Sequence, residues 1–419
     1  MPTRPHRFDD PAAEASQFMI RLGLAVLAIA LPASGLYFRR SVFLLFPMGA
    51  GVILLGALLA PRRDALGRLR DVVASPMGLV ACVLLAWATA SILWTPYRGE
   101  AVERLFKVGG TLALAAAAAA VLPDRTRIAN LYLIPVGVAL ASALGAATAV
   151  VGVPAGWRFM PDAATLERAL VGVSLAMWPA LAVLIARGRI GLSVTLPILV
   201  AATAFVTGSS VAFFSMAAGG LALAAALGSR QMATRWLGRA FAALVILAPL
   251  APFLAQHLSG AAPGGEWARH LGALDQWRAL IDAQPLRLLT GHGLDAAGQG
   301  VARGALPATT PRTAIFDVWY ELGLVGALAT AALLYGAFRV ARRAPPEAGP
   351  ALAGGLTHGL IVGALGGGSA QIAWLTTIAT AAVLFTAMAN GLYKTSRPAA
   401  PAPRSVKAPA APAPVRPAS

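Results

Sequence analysis

Apolar runs of roughly twenty residues recur along this chain from about residue 18 to about residue 392, the length a helix needs to cross the hydrocarbon core of a bilayer. The content agrees: 58% of the 419 residues are hydrophobic and 12% are charged, more apolar surface than a soluble domain needs. The expected fold is an all-α polytopic membrane protein with about twelve transmembrane helices, near 18–37, 41–60, 76–94, 105–122, 129–152, 169–186, 190–207, 210–227, 240–256, 314–338, 351–367 and 371–392. The pairs 190–207/210–227 and 351–367/371–392 are split only by Gly, Ser or a lone polar residue. A tight turn and a broken helix fit equally well there.

The formal net charge is +17, but the basic residues punctuate the apolar runs instead of gathering on one polar domain. That distribution writes membrane topology and argues against nucleic acid as a partner. One set of loops holds Arg62, Arg63, Arg68 and Arg70; Arg125 and Arg127; Arg187 and Arg189; Arg230, Arg235 and Arg239; Arg339, Arg342 and Arg343. Arg4, Arg7, Lys394, Arg397, Arg404 and Lys407 fall on the same side. The opposite short loops hold fewer, among them Arg39, Arg40, Arg98 and Arg158. The excess of Lys and Arg predicts that both termini face the cytoplasm.

Three regions follow: a polar cytoplasmic tail over 1–17, a transmembrane bundle over 18–393, and a Pro/Ala-rich basic tail over 394–419 that is expected to be disordered. The first run lacks a small-residue cleavage site ahead of a soluble domain, so it reads as a retained span. The single cysteine, Cys82, lies within an apolar run and excludes an intramolecular disulfide and a CxxC metal site.

One long polar interruption remains, residues 257–313 between the ninth and tenth spans, and the charge pattern puts it outside the membrane, as a periplasmic loop in a bacterium. It carries His257, His270 and His292, two tryptophans (Trp267 and Trp277), and Arg269, Arg278, Arg287, Arg303 and Arg312. Residues 266–284 read as an amphipathic helix with Leu271, Leu274 and Ile281 in its apolar stripe, Trp267 and Trp277 as interface anchors, and Pro285 as its end. The loop runs into the tenth span through Asp317 and Glu321, whose i, i+4 spacing puts both carboxylates on one helix face. Carboxylates at that depth are costly unless paired or wet. A salt bridge to Arg104 or Lys107, at the head of another span, is the bland alternative to a functional role. His358 lies within an apolar span and reads as an interhelical hydrogen-bonding residue.

Four stretches resemble the O-antigen ligase/polymerase family of bacterial polysaccharide membrane enzymes: ASILWTPYRGEAVERLFKVGG, LDQWRALIDAQPLRLLTGHGLDAAG, PRTAIFDVWYELGLVGA and GGGSAQIAWLTTI. The third is similar to the family's "His-Asn … Glu-Leu-Gly" stretch and the fourth to its Gln-x-x-Trp element. Departures exist. Arg312 stands where the family carries histidine, Thr313 replaces the asparagine, Ala273 falls where an arginine is expected, and Ser209-Ser210 replaces a Ser-Arg pair.

The resemblance implies an inner-membrane enzyme that moves a glycan from an undecaprenyl diphosphate carrier to an acceptor hydroxyl on lipid A-core or on another glycan. No metal, ATP or other cofactor is expected, and no Walker A or HExxH sequence occurs. A diphosphate leaving group calls for guanidinium, whose fork matches phosphate oxygens. Arg269, Arg278, Arg312, Arg104 and Arg168 are the candidates. The acceptor calls for a base. Glu321, which matches the family's Glu-Leu-Gly element, Asp317 and His292 are the candidates, with His292 also readable as a packing residue. A polysaccharide polymerase, a flippase or transporter of a lipid-linked saccharide, and an inactive carrier-binding relative stay open as alternatives.

Overall fold

The structure, a computed structural model, describes residues 11–59, 65–123, 128–152, 162–258, 266–365 and 371–391. All regular elements among them are helices. Those the site depends on are α1 (Pro11–Gly35), α2 (Ser41–Leu59), α3 (Ala65–Ala74), α4 (Pro76–Ser91), α5 (Arg98–Val121), α6 (Leu133–Val151), α7 (Ala163–Ala186), α8 (Ile190–Val206), α9 (Ser210–Gly228) and α10 (Arg230–Leu247). After α10 a short 3-10 turn leads into Ala251–Leu258, and then come α11 (Glu266–Ala283), α12 (Arg287–Thr290), α13 (Ala296–Ala302), α14 (Ala314–Arg343), α15 (Gly349–Leu365) and α16 (Gln371–Gly391).

Among the described residues, nine helices are long and apolar enough to cross a membrane, or ten if α3 and α4, bent by 73°, act as one broken span. The remaining apolar helices, α8 and α15, have 17 residues each, a length of about 25 Å at the α-helical rise. The first helix begins at Pro11 and not near 18, so the polar N-terminal stretch is partly helical. Large apolar side chains stay exposed along the bundle wall, for example Phe106 (75%), Phe205 (74%) and Leu221 (74%). A wall of that kind suits lipid, not water.

α7 is the centre. Its most apolar window is 78% buried, against 17% for α5 at the edge. Trp178 of α7 fills the crossing of α9 and α15, where a Cβ on Gly219 or Gly354 would come within 2.4 Å of its ring. Small residues let helix backbones approach where lipid supplies no hydrophobic drive. One turn away, Ser174 Oγ lies 3.2 Å from Nε2 of the buried His358, the interhelical hydrogen bond expected for that histidine.

Three arginines from the basic loop set reach carbonyls at helix C-termini. Arg68 donates to Leu122 at 3.5 Å, Arg187 to Gly391 at 3.2 Å and Arg230 to Ala344 at 2.7 Å. The last carbonyls of a helix lack intrahelical partners and carry partial negative charge, which a guanidinium offsets. The same residues that mark topology therefore also finish helices.

Candidate functional site

α14 is not continuous. Gly323 has φ 62° and ψ −153°, a left-handed conformation that breaks the helix just after Glu321-Leu322. The break frees carbonyls, and each finds a donor from elsewhere in the chain. His292 N–H donates to Tyr320 O at 2.7 Å, Gly293 N–H to Glu321 O at 3.0 Å, and the Trp87 indole N–H to Leu322 O at 2.8 Å. A buried carbonyl without a partner would be costly, so this exchange fixes the break in place.

The segment Gly291-His292-Gly293-Leu294-Asp295 thus lies against the break. Gly291 has φ 72°, and a Cβ there would fall 2.1 Å from Glu321 O. The other side of the segment is held by the end of α4: Ser91 Oγ accepts from Leu294 N–H at 3.1 Å and Thr95 Oγ1 donates to Leu294 O at 3.0 Å. Three of the four family-like stretches, separated by up to about two hundred residues, therefore meet here. In the described part of the fourth, Trp374 donates to Gly359 O at 3.3 Å and lies beside Gly363, which also borders Ala314 of the third. The first part of the fourth, the GGG at 366–368, lies outside the described residues.

A charged cluster sits at the meeting point. Arg104 Nη1 of α5 donates to Asp295 Oδ1 at 2.7 Å and to Glu321 Oε1 at 2.9 Å. The Glu321 side chain is 4% exposed, Asp295 13% and Arg104 15%. Asp295 takes a left-handed backbone conformation (φ 65°), unusual for a residue with a Cβ, and Gln299 Nε2 donates to its second oxygen at 3.1 Å. Asp317, one turn before Glu321, is buried and within electrostatic reach of Glu321, Arg104, Asp295 and Arg312. Two carboxylates thus share one closely bound guanidinium, and a third, Asp317, lies close by.

Of the residues singled out from sequence, Asp317, Glu321 and Arg104 come together, with exposed Arg312 near Asp317. Arg104, not Lys107, pairs with Glu321, while Lys107 pairs with Glu103 on its own helix. The pairing also changes what Arg104 offers, because two carboxylates already share its Nη1. Asp295 was absent from the sequence-derived set. Its signal was the position directly after Gly-His-Gly-Leu in an otherwise apolar context.

The other candidates lie elsewhere. Arg278 faces Asp282 at 3.4 Å and lies over the Phe253 ring at 5.6 Å. Arg168 stands near Asp162 at the start of α7. Hydrogen bonds from the Thr165 side chain and backbone hold the Asp162 carboxyl below its ordinary value, with Arg168 and Arg39 adding to the effect. Arg269 and Trp267 lie in a stretch of α11 whose side chains are outside the described residues. Trp277 is 6% exposed and meets Phe316 edge-on at 5.4 Å, so it anchors α11 to α14 and not to the membrane interface.

His292 stacks on Tyr320 with ring centroids 4.0 Å apart. Its Nδ1 lies 3.1 Å from Tyr320 O and its Nε2 3.2 Å from the Gln284 amide. Burial pushes its pKa below the ordinary value, and Arg287 adds to that, against the hydrogen bond to Tyr320. A neutral ring has one N–H, and a carbonyl can only accept. Nδ1 therefore carries the proton and Nε2 accepts from the amide of Gln284, whose O and N positions are interchangeable by assignment. Both nitrogens are occupied, which fits the packing reading of this residue better than the catalytic one.

Among the described residues no group of three His, Cys, Asp or Glu side chains is arranged to hold a metal ion. No family model matches the chain, and no curated protein matches it.

Proposed function

We propose that this chain transfers a glycan from an undecaprenyl diphosphate carrier to an acceptor hydroxyl at the outer face of a bacterial inner membrane, as an O-antigen ligase-type enzyme. The observation that carries the reading is the buried cluster Asp317–Glu321–Asp295–Arg104, assembled where the long polar loop meets a broken helix. The reading includes twelve spans, with α3–α4, α8 and α15 among them, cytoplasmic termini and an outward-facing loop 257–313. The charge pattern of the loops supports that topology.

The cluster suits the acceptor side of the reaction. A hydroxyl needs a group that accepts its proton as its oxygen bonds to the anomeric carbon. Asp317 is the proposed base. The bond between the anomeric carbon and the diphosphate oxygen breaks with its electron pair, so undecaprenyl diphosphate departs. Arg104, with carboxylates on two sides, holds Glu321 and Asp295 in position. Arg312, exposed and near Asp317, is the proposed diphosphate contact in the place of the family's histidine.

The freed carbonyls of the broken helix also suit a transporter, where such breaks line a substrate path. Here, however, three of them are taken by His292, Gly293 and Trp87, so they are not available to an ion or saccharide. Deleting the gene and resolving surface polysaccharide on a gel separates the readings. Polymer that stays on the carrier and off lipid A supports the ligase. Attachment of single repeats supports a polymerase, and loss of all outward-facing glycan supports a flippase. Failure of Asp317→Asn to restore the wild-type ladder is expected; full restoration would remove Asp317 as the base.

A further inference from the structure

A shallow pocket, open to the surface, lies between α11 and α14, walled by Trp277, Ile281 and Trp319 and with Gln284, Arg287 and His292 as its polar lining. Trp319 is fixed there by its indole N–H, which donates to Val245 O at 2.7 Å. That carbonyl is available because residue 249, four positions on, is proline and has no N–H to give it.

Arg287 is the unusual member. It is half-buried, and its one described hydrogen bond runs from Nη1 to Gly291 O at 3.4 Å. Among the described residues no carboxylate pairs with it, whereas Arg104, Arg278 and Arg303 each face one. A partly desolvated cation against aromatic and aliphatic walls calls for an anion. On the same short turn, Leu286 is 78% exposed and Leu289 54% exposed. Two leucines presented outward on either side of an arginine match the boundary between acyl chains and headgroups, where apolar side chains enter the bilayer and cations meet phosphate.

We propose that this pocket binds the phosphate of an anionic membrane phospholipid, with Arg287 as the anion contact, the Gln284 amide as second donor, and the acyl chains laid on Leu286 and Leu289. The site needs only the bilayer and does not rest on the transfer reading. A lipid held there fixes α11 against α14 and so stiffens the wall behind Tyr320 and Glu321.

The test uses the full chain in detergent, titrated separately with phosphatidylglycerol, phosphatidylcholine and inorganic phosphate, with bound lipid counted by native mass spectrometry. Phosphatidylglycerol is expected to be retained and to raise the thermal midpoint. Arg287→Gln should weaken its binding at least tenfold, Arg287→Lys should keep part of it, and Arg303→Gln should bind as wild type. Leu286→Ser with Leu289→Ser should weaken it as well. Equal retention by Arg287→Gln, or by both Arg287→Gln and Arg287→Lys at wild-type levels, overturns the proposal. So does phosphatidylcholine binding as tightly as phosphatidylglycerol, or inorganic phosphate alone giving the full thermal shift.

Discussion

Arg104 and Glu321 stand 217 positions apart in the chain, yet Nη1 of one lies 2.9 Å from Oε1 of the other. The same nitrogen also holds Asp295 from the loop, so one guanidinium ties together α5, the polar loop and the broken helix. Removing it strands two carboxylates of low exposure. Arg104→Met is expected to destabilise the protein by about 3–5 kcal/mol, the usual cost of orphaning a buried charge, and to abolish glycan transfer. Glu321→Gln leaves Arg104 its bond to Asp295 and should cost much less stability while still lowering transfer. Thermal unfolding in detergent together with a glycan-transfer assay reads both; equal midpoints for wild type and Arg104→Met would contradict the pairing.

Gly323 and Gly291 admit no side chain. A Cβ on Gly323 would lie 2.6 Å from Gly291 N, and one on Gly291 2.1 Å from Glu321 O. Either alanine substitution forces the loop off the break and also strains a left-handed residue, which costs about 1–3 kcal/mol. Both variants should expose the loop to limited proteolysis near 285–305 while the spanning helices stay intact. A digestion pattern identical to wild type would show that the loop does not depend on the break.

Asp317→Asn keeps the size of the side chain and removes its ability to take a proton. Transfer should fall at least a hundredfold, the range expected for loss of a positioned base, with little change in thermal midpoint. Arg312→Ala should lower transfer through weaker donor binding, and Arg312→His should restore part of it. Undiminished transfer in both Arg312 variants would remove that residue from the site.

Burial pushes the pKa of His292 below its ordinary value. Because its folded pKa lies below the unfolded one, its contribution to stability is present above the ordinary histidine pKa and is lost as pH falls through the lowered value. Wild type should therefore lose stability on mild acidification, and His292→Phe, which keeps a ring to stack on Tyr320, should lose less. The phenylalanine variant is also expected to retain transfer. A complete loss of transfer with an unchanged midpoint would restore a catalytic role to His292.

Much of the architecture was legible from sequence because bilayer thickness sets a length that apolar runs must match: the regular elements among the described residues are helices, and nine of these, or ten with α3–α4 as one bent span, are long and apolar enough to cross a membrane. The helix ending before Pro285 was readable for the same kind of local reason: α11 stops at Ala283. The inner kink of α14 was not. A glycine within an apolar run looks the same whether it continues the helix or breaks it, and only the donors that collect the freed carbonyls decide.

The site divides the same way. The sequence by itself identified Asp317 and Glu321 as neighbours, since a helix repeats every 3.6 residues, and it marked the polar loop as the region of interest. It could not choose Arg104 over Lys107, add Asp295, or turn Trp277 inward, because those outcomes depend on contacts between separate elements: 191 and 217 positions apart for Arg104, and α11 against α14 for Trp277. Span length and charge bias are local properties that the chain carries into any conformation. Which carboxylates share a guanidinium, and which arginine of the loop is left without a carboxylate among the described residues, is decided only when the helices close against one another and remove water from between them.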